Sequence, residues 1–386
     1  MDLQLTDDQQ LFDETTARFL DDTCPLPTVR EWADKQPAGY PRDWWRQGAA
    51  LGWTSLLVSE QDGGGSVSGD GLLDLVLVAE EMGRRVSPGP LVVTNLVAST
   101  LSRWGSDDQR AAVLPGIVSG ETVATWCLTE PGRPWSTEGV HLEATATADG
   151  YALHGVKGPV EAGAEADWLV VVARLDGAPT QFLVPGDSPG VTVTAAEGFD
   201  LVRRFAVLTF EGAAVPATAV VGPPGGADGE VERLGNLAAV LQCAEAAGAV
   251  DHVLAMTVEY AFDRYSFGRP LASYQALKHR FADLKLTVEA CLATAQAAAV
   301  AVAADSPRAA ELTSVAKSYI GDHAPLVVQD CVQLHGGIGL TWDHDLHLYL
   351  RRVVQDAALF GTPGEHRARL ASGLGLTTRS EADHVG

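Results

Sequence analysis

The chain has 386 residues, with 27 Lys+Arg against 50 Asp+Glu and a formal charge of −23. Its hydrophobic share of 46% is enough for a sizeable core, and the length suggests two or three domains. The acidic balance excludes a nucleic-acid binder, which needs Lys and Arg clusters, and disfavours an anionic membrane surface; an anionic small ligand stays possible, because local charge can differ from net charge.

The five cysteines, Cys24, Cys127, Cys243, Cys291 and Cys331, are scattered and show no CxxC pair. A disulfide framework or a zinc site is therefore not expected, and a reducing compartment fits. The first eight residues lack a basic stretch followed by an apolar run, so no signal peptide is expected. No run of about 18–20 strongly apolar residues stands out, so the expectation is a cytoplasmic protein without a membrane span.

In chain order, Thr6 or Asp7 caps a helix that puts Leu11, Thr15 and Phe19 on one face and ends at Pro25 and Pro27. Residues 61–66, Gln-Asp-Gly-Gly-Gly-Ser, form a loop whose glycines can cradle a phosphate or serve as a flexible connection; the composition favours the second. Leu72, Leu73, Leu75, Val76, Val78 and Met82 predict a helix over 71–84, stopped by Pro88 and Pro90. Short β-type runs follow at 122–128, 141–146, 151–156, 168–173, 181–184, 191–194 and 206–210, punctuated by Ala148-Asp149-Gly150 and Pro185-Gly186-Asp187. Their spacing predicts a small antiparallel sandwich or barrel. Beyond Gly229 the helical pattern returns, with Leu234, Leu237 and Leu241 opening a helix that reaches Tyr260. Leu277, Phe281, Leu284, Val288, Cys291 and Ala295 alternate steps of four and three, a bundle seam that Ser306-Pro307 breaks. Two more helices are expected over 308–334 and 345–359. The reading is α+β: an N-terminal helical domain over 1–118, a central β domain over 119–228, a C-terminal four-helix bundle over 229–374 and a disordered tail over 375–386.

Several motifs lie on this frame. Arg264-Tyr265-Ser266-Phe267-Gly268-Arg269-Pro270 joins two long helices, and Gln275 follows it. Gln333-Leu334-His335-Gly336-Gly337-Ile338-Gly339 and Tyr349-Leu350-Arg351-Arg352 come later, and Cys127-Leu128-Thr129-Glu130-Pro131-Gly132 stands in the β region. In this order, across essentially the whole chain, the set resembles the acyl-CoA dehydrogenase family. The resemblance implies helical, β and four-helix-bundle domains in that order. It also implies FAD between the β domain and the bundle, with its adenine side completed by a neighbouring subunit. Arg264 matches the arginine that holds the FAD pyrophosphate, a task suited to an always-charged fork donor. Ser266, Phe267 and Leu271 match positions beside the cofactor, and Gln275 a glutamine near the adenine half. Gln333, Gly336 and Gly337 match the segment given across the interface to the ADP moiety. Leu128 and Thr129 match the strand that bonds the isoalloxazine ring, and Thr362 a threonine just after the usual base. The implied partners are an acyl-CoA substrate and electron transferring flavoprotein. The implied assembly is a homodimer, a homotetramer, or a heterotetramer with a base-bearing paralogue.

The chain departs from this family at the chemistry. α,β-Dehydrogenation of an acyl-CoA needs a carboxylate to take the weakly acidic α-proton. The usual glutamate position is Phe360, in Leu359-Phe360-Gly361-Thr362, and the alternative position, ten residues before Gly248, is Ala238. Lys157-Gly158-Pro159-Val160-Glu161 places Pro159 where a tryptophan usually flanks the flavin and Glu161 where a hydroxyl usually sits near N5. Arg133-Pro134-Trp135-Ser136 replaces a run of small residues. Glu365, Glu161 and Asp356 are the substitute bases within reach. Glu365 can equally cap a helix or pair with Arg367, and Asp356 can pair with Arg352. Two functions follow: an FAD-dependent acyl-CoA dehydrogenase with a displaced base, or a non-catalytic partner subunit that contributes to FAD binding and assembly.

Overall fold

The computed structural model describes residues 5–375; the expected disordered tail lies outside them apart from its first residue. Six helices come first: α1 (Asp7–Thr23), α2 (Leu26–Lys35), α3 (Arg42–Ala50), α4 (Gly71–Arg84), α5 (Leu91–Trp104) and α6 (Asp107–Val118). Helix α1 opens on a capping box: the Thr6 hydroxyl accepts the Gln9 N–H, and Gln9 Oε1 accepts the Thr6 N–H, each at 3.2 Å. Pro25 does more than end α1. It is the N-cap of α2, where a missing N–H is tolerated, so the chain resumes as helix at once. The loop at residues 61–66 is structural: a Cβ on Gly64 would lie 2.2 Å from the Val58 carbonyl oxygen.

The β region holds β1 (Ala124–Cys127), β2 (Glu143–Ala146), β3 (Gly150–Glu161), β4 (Trp168–Leu175), β5 (Ala178–Pro185), β6 (Val191–Ala196), β7 (Phe205–Pro216) and β8 (Val220–Val221). They form one eight-stranded sheet in the order β6-β7-β3-β2-β4-β5-β8, with β1 paired to β4. It is not purely antiparallel, because β1 and β2 both run parallel to β4. The sheet encloses its own apolar core, built from Leu153, Leu169, Val171, Phe182, Leu208 and Phe210 among others. Trp126 and Leu128 point the other way and join the larger core shared with the helices, as the two-residue period of a strand requires.

The bundle comprises α7 (Asp228–Asp263), α8 (Gln275–Ala303), α9 (Ala309–His335) and α10 (Leu346–Ala358), followed by a helix not anticipated from sequence, α11 (Pro363–Gly373). A two-stranded hairpin, β9 (Tyr265–Ser266) and β10 (Arg269–Pro270), links α7 to α8. In the α8 seam Leu284, Val288, Cys291 and Ala295 are buried, while Leu277 and Phe281 are only half-buried. Apolar windows in α7 and α8 reach mean hydropathies of 1.3 and 1.6, long and apolar enough to cross a bilayer by length and composition alone. For α7 the composition is accounted for by the bundle core, in which 89% of that window is buried. Helices α4 and α7 meet at backbone distance: a Cβ on Gly83 would lie 2.0 Å from the Glu245 carbonyl oxygen, and one on Gly248 would lie 2.2 Å from that of Glu80. That crossing holds the N-terminal helices against the bundle and sets Glu245 in the interior.

Candidate active site

Where β1 ends, the backbone of Leu128 and Thr129 is already engaged by the chain itself. Lys157 Nζ, fully buried, donates to the Leu128 carbonyl at 2.9 Å and to Glu130 Oε1 at 2.8 Å. The Gly158 N–H donates to the Thr129 carbonyl at 2.8 Å. Glu130 Oε1 also accepts the His141 and Leu142 N–H groups, each at 2.8 Å. Burial pushes the Glu130 carboxyl up, but Lys157 and those backbone donors outweigh it and hold it below its ordinary value. Burial draws the Lys157 ammonium down.

Next to this strand end lies a buried charge network. Thr125 on β1 donates to the Glu161 carbonyl at 2.6 Å, which brings the end of β3 alongside. The Glu161 carboxylate stands 3.6 Å from Arg203 Nε. Arg203 also donates to Asp356 Oδ1 at 2.8 Å and pairs with Glu245. Arg352 pairs with Glu245 and Asp200. Two guanidiniums thus face four carboxylates, all buried. With cations in deficit, burial prevails at Glu161, whose carboxyl is raised, and at Asp356, which is pushed up to about 8. Burial thus favours the protonated form of Asp356. It lies behind the site, not in it, and its partner is Arg203 rather than the Arg352 expected from helical spacing.

Phe360 occupies the usual base position with φ +54° and is 7% exposed. Its ring centroid is 4.7 Å from that of Trp135 and 6.5 Å from that of Trp126, the latter nearly parallel at 16°. The turn that presents it is clamped from α9. Lys317 Nζ donates to the carbonyls of Asp356 (2.5 Å) and Leu359 (2.7 Å). His366 bridges Ser314 Oγ (3.1 Å) and the Phe360 carbonyl (3.0 Å). A carbonyl can only accept, so Nε2 carries the proton and Nδ1 accepts from Ser314. Burial pulls His366 down to about 4, keeping it neutral. Thr362 caps α11, and Glu365 is its reciprocal partner, accepting the Thr362 N–H at 2.7 Å and hydroxyl at 2.9 Å. Glu365 is exposed and tied to that cap; Arg367 pairs with Asp322 instead. Ala238 is buried in α7. None of the three substitute carboxylates is set free beside the Phe360 turn: one caps a helix and two belong to the Arg203 network.

The remaining predicted residues gather at the far end of the bundle. Arg264 follows α7, some 19 residues beyond Glu245, which at 1.5 Å per residue places it about 28 Å away along the helix. It is exposed, and among the described residues its side chain forms no hydrogen bond or ion pair. Its carbonyl accepts the Leu271 N–H at 2.8 Å. Phe267 tips the hairpin at φ +49° and is 98% exposed. The Ser266 carbonyl is held by the Tyr274 hydroxyl at 2.7 Å. Gln275, Gln333, Gly336 and Gly337 are all exposed. Arg203, Lys317, Trp126 and His366 were not singled out from sequence. Trp135 was visible only as a departure from small residues.

An N-terminal helical domain, a central sheet and a helical bundle, in that order, are the architecture that the resemblance to flavin-dependent acyl-CoA dehydrogenases implies. Comparison with known proteins narrows it. Residues 6–121 match the family model of the acyl-CoA dehydrogenase N-terminal domain, and residues 231–375 that of the C-terminal domain. The chain is 32% identical over 369 residues to the acyl-CoA dehydrogenase IpdE2 of Mycobacterium tuberculosis, covering 95% of this chain and 97% of that one. It superimposes on a chain of the ChsE4–ChsE5 complex from Mycobacterium tuberculosis with a TM-score of 0.87 and 30% identity, covering 98% of this chain and 100% of the other. It also superimposes on butyryl-CoA dehydrogenase from Megasphaera elsdenii with a TM-score of 0.89 and 26% identity, covering 97% and 100%. The chain belongs to the acyl-CoA dehydrogenase family. Its chemistry is that of the FAD-dependent oxidoreductases of this family, and FAD is the cofactor.

The residues' fit to FAD is clearest at the adenine end. The exposed Arg264, with Gly336 and Gly337, suits a diphosphate and adenosine approaching from outside the chain. At the Leu128–Thr129 strand end, Lys157 and Gly158 fix the two carbonyls, the Thr129 hydroxyl makes no hydrogen bond among the described residues, and the Trp135–Phe360 contact covers the usual base position.

Proposed function

We propose that this chain acts as the base-lacking subunit of a heteromeric acyl-CoA dehydrogenase. It lends Arg264, Gln275, Gln333, Gly336 and Gly337 to the adenine side of an FAD held chiefly by a base-bearing partner of the same fold. The observation that carries the reading is Phe360, a ring that cannot accept a proton, sealed against Trp126 and Trp135 at the position where the reaction needs a carboxylate. The roughly 28 Å along α7 from Glu245, in the charge network, to Arg264 is in keeping with it, since the two sets can then serve different FAD molecules. The likeness to a chain of the two-protein ChsE4–ChsE5 complex is in keeping with such an assembly. In the assembly the partner supplies the base for the acyl-CoA α-proton, and electron transferring flavoprotein accepts the electrons. Adding an acyl-CoA anaerobically to the purified chain, alone and then joined to a base-bearing paralogue, tests this. Flavin bleaching is expected only in the joined sample, and bleaching by the chain alone would refute the proposal.

A further inference from the structure

The two elements that carry the adenine-side residues come from opposite directions in the chain. Arg264 leaves the C-terminal end of α7, and Gly336 leaves the C-terminal end of α9. One stack of rings joins them. Tyr260, whose carbonyl accepts the Arg264 N–H at 2.9 Å, lies flat on His335, with centroids 4.3 Å apart and planes at 20°. The Tyr260 hydroxyl donates to the His335 carbonyl at 3.2 Å. His335 is 4% exposed, and its Nδ1 lies 2.9 Å from the Cys331 carbonyl, so Nδ1 carries the proton. The edge of His344 closes the other side, at 4.7 Å and 69°. Immediately after this stack come two glycines. Gly336, at φ +67° and ψ −142°, adopts a backbone shape closed to side chains. Gly337 differs: its φ is not in the left-handed region, and among the described residues nothing beyond its own chain neighbours lies within 4 Å of an added Cβ. Among the described residues no contact requires glycine there, and the exposed turn leaves its backbone open to a group from outside.

We infer that Tyr260, His335 and His344 form a positioning clasp that holds Arg264 and the Gly336–Gly337 turn as one unit for a dinucleotide diphosphate. The dinucleotide part of this rests on the function proposed above; the mechanical part does not. None of the three rings needs to touch the cofactor. Tyr260 sets where Arg264 begins, His335 sets where the glycines begin, and the stack keeps the two in register.

Hydrogen–deuterium exchange on the full chain tests the mechanical part. Tyr260→Leu, made on α7, is expected to raise exchange across residues 336–344 on the other element by roughly three- to tenfold, the range set by a lost aromatic pair. His335→Ala is expected to do the same across residues 264–274. His335→Gln keeps a donor for the Cys331 carbonyl and serves where the alanine variant fails to fold. Exchange that changes only in the mutated residue's own segment overturns the clasp. The second measurement is retention of FAD by the chain, purified with whatever partner accompanies it, during gel filtration. Both variants are expected to lose FAD several-fold faster while the protein stays folded at the temperature of the run. Coupled exchange with unchanged FAD retention overturns the dinucleotide assignment while the clasp itself stands.

Discussion

Replacing Phe360 is the sharpest structural test of the sealed face. Its ring is 7% exposed and lies against two tryptophans. Truncating such a ring to alanine removes its transfer free energy and leaves a cavity, together about 3–5 kcal/mol. The backbone adds a second, opposite contribution. At φ +54° a residue with a Cβ is strained by roughly 1–2 kcal/mol, which glycine does not incur. Phe360→Gly is therefore expected to be about 1 kcal/mol more stable than Phe360→Ala, the reverse of the usual order. Urea denaturation followed by tryptophan fluorescence reports both numbers, and Trp126 and Trp135 place the probe beside the change. A loss under about 1 kcal/mol for the alanine variant, or a glycine variant less stable than the alanine one, would refute the reasoning.

Three further predictions concern the frame of the site. Lys157→Met should cost about 3–5 kcal/mol in chemical denaturation, because it leaves the Glu130 carboxylate without its buried counter-charge. Gly248→Ala should cost about 1–3 kcal/mol or more, since the added methyl meets the Glu80 carbonyl oxygen at 2.2 Å; an unchanged midpoint would mean that α4 and α7 do not touch there. Burial pushes the Glu165 carboxyl up to about 8. The native state then binds more protons than the unfolded state between the ordinary glutamate range and pH 8, so stability contributed by this group falls as pH rises through that window. Glu165→Gln should accordingly be near-neutral at pH 4 and progressively stabilising towards pH 8, and a benefit that shrinks with rising pH would reverse the sign of the argument.

Local signals account for what was legible beforehand. The Thr6 cap, the α4 periodicity, the alternating steps in α8 and the Ser306-Pro307 break are each written within a few residues, and they placed helices closely. Helix α11 was missed although its signal was present. Thr362 and Glu365 have the spacing of a capping box, but so short an amphipathic run behind them carries little periodicity of its own. The parallel pairing of β1 and β2 with β4 joins distant segments, and no short-range pattern encodes it. The same holds for the charge network. Arg203 and Asp356 are 153 positions apart and look like surface residues one at a time; only the fold buries them together. That Phe360 and Ala238 stand at the family's usual base positions is legible because motif positions are local. That Trp135 closes on Phe360 was not, because the contact spans the β domain and the bundle.

On the function proposed above, this chain brings the adenine side of an FAD site and depends on a partner for the rest. The most direct test is the flavin-to-polypeptide ratio, from visible absorbance and protein concentration, for the chain alone and for its complex with a base-bearing paralogue. The account predicts no flavin absorbance in the isolated chain and one FAD per pair of unlike chains in the complex. One FAD bound to every isolated chain would contradict it.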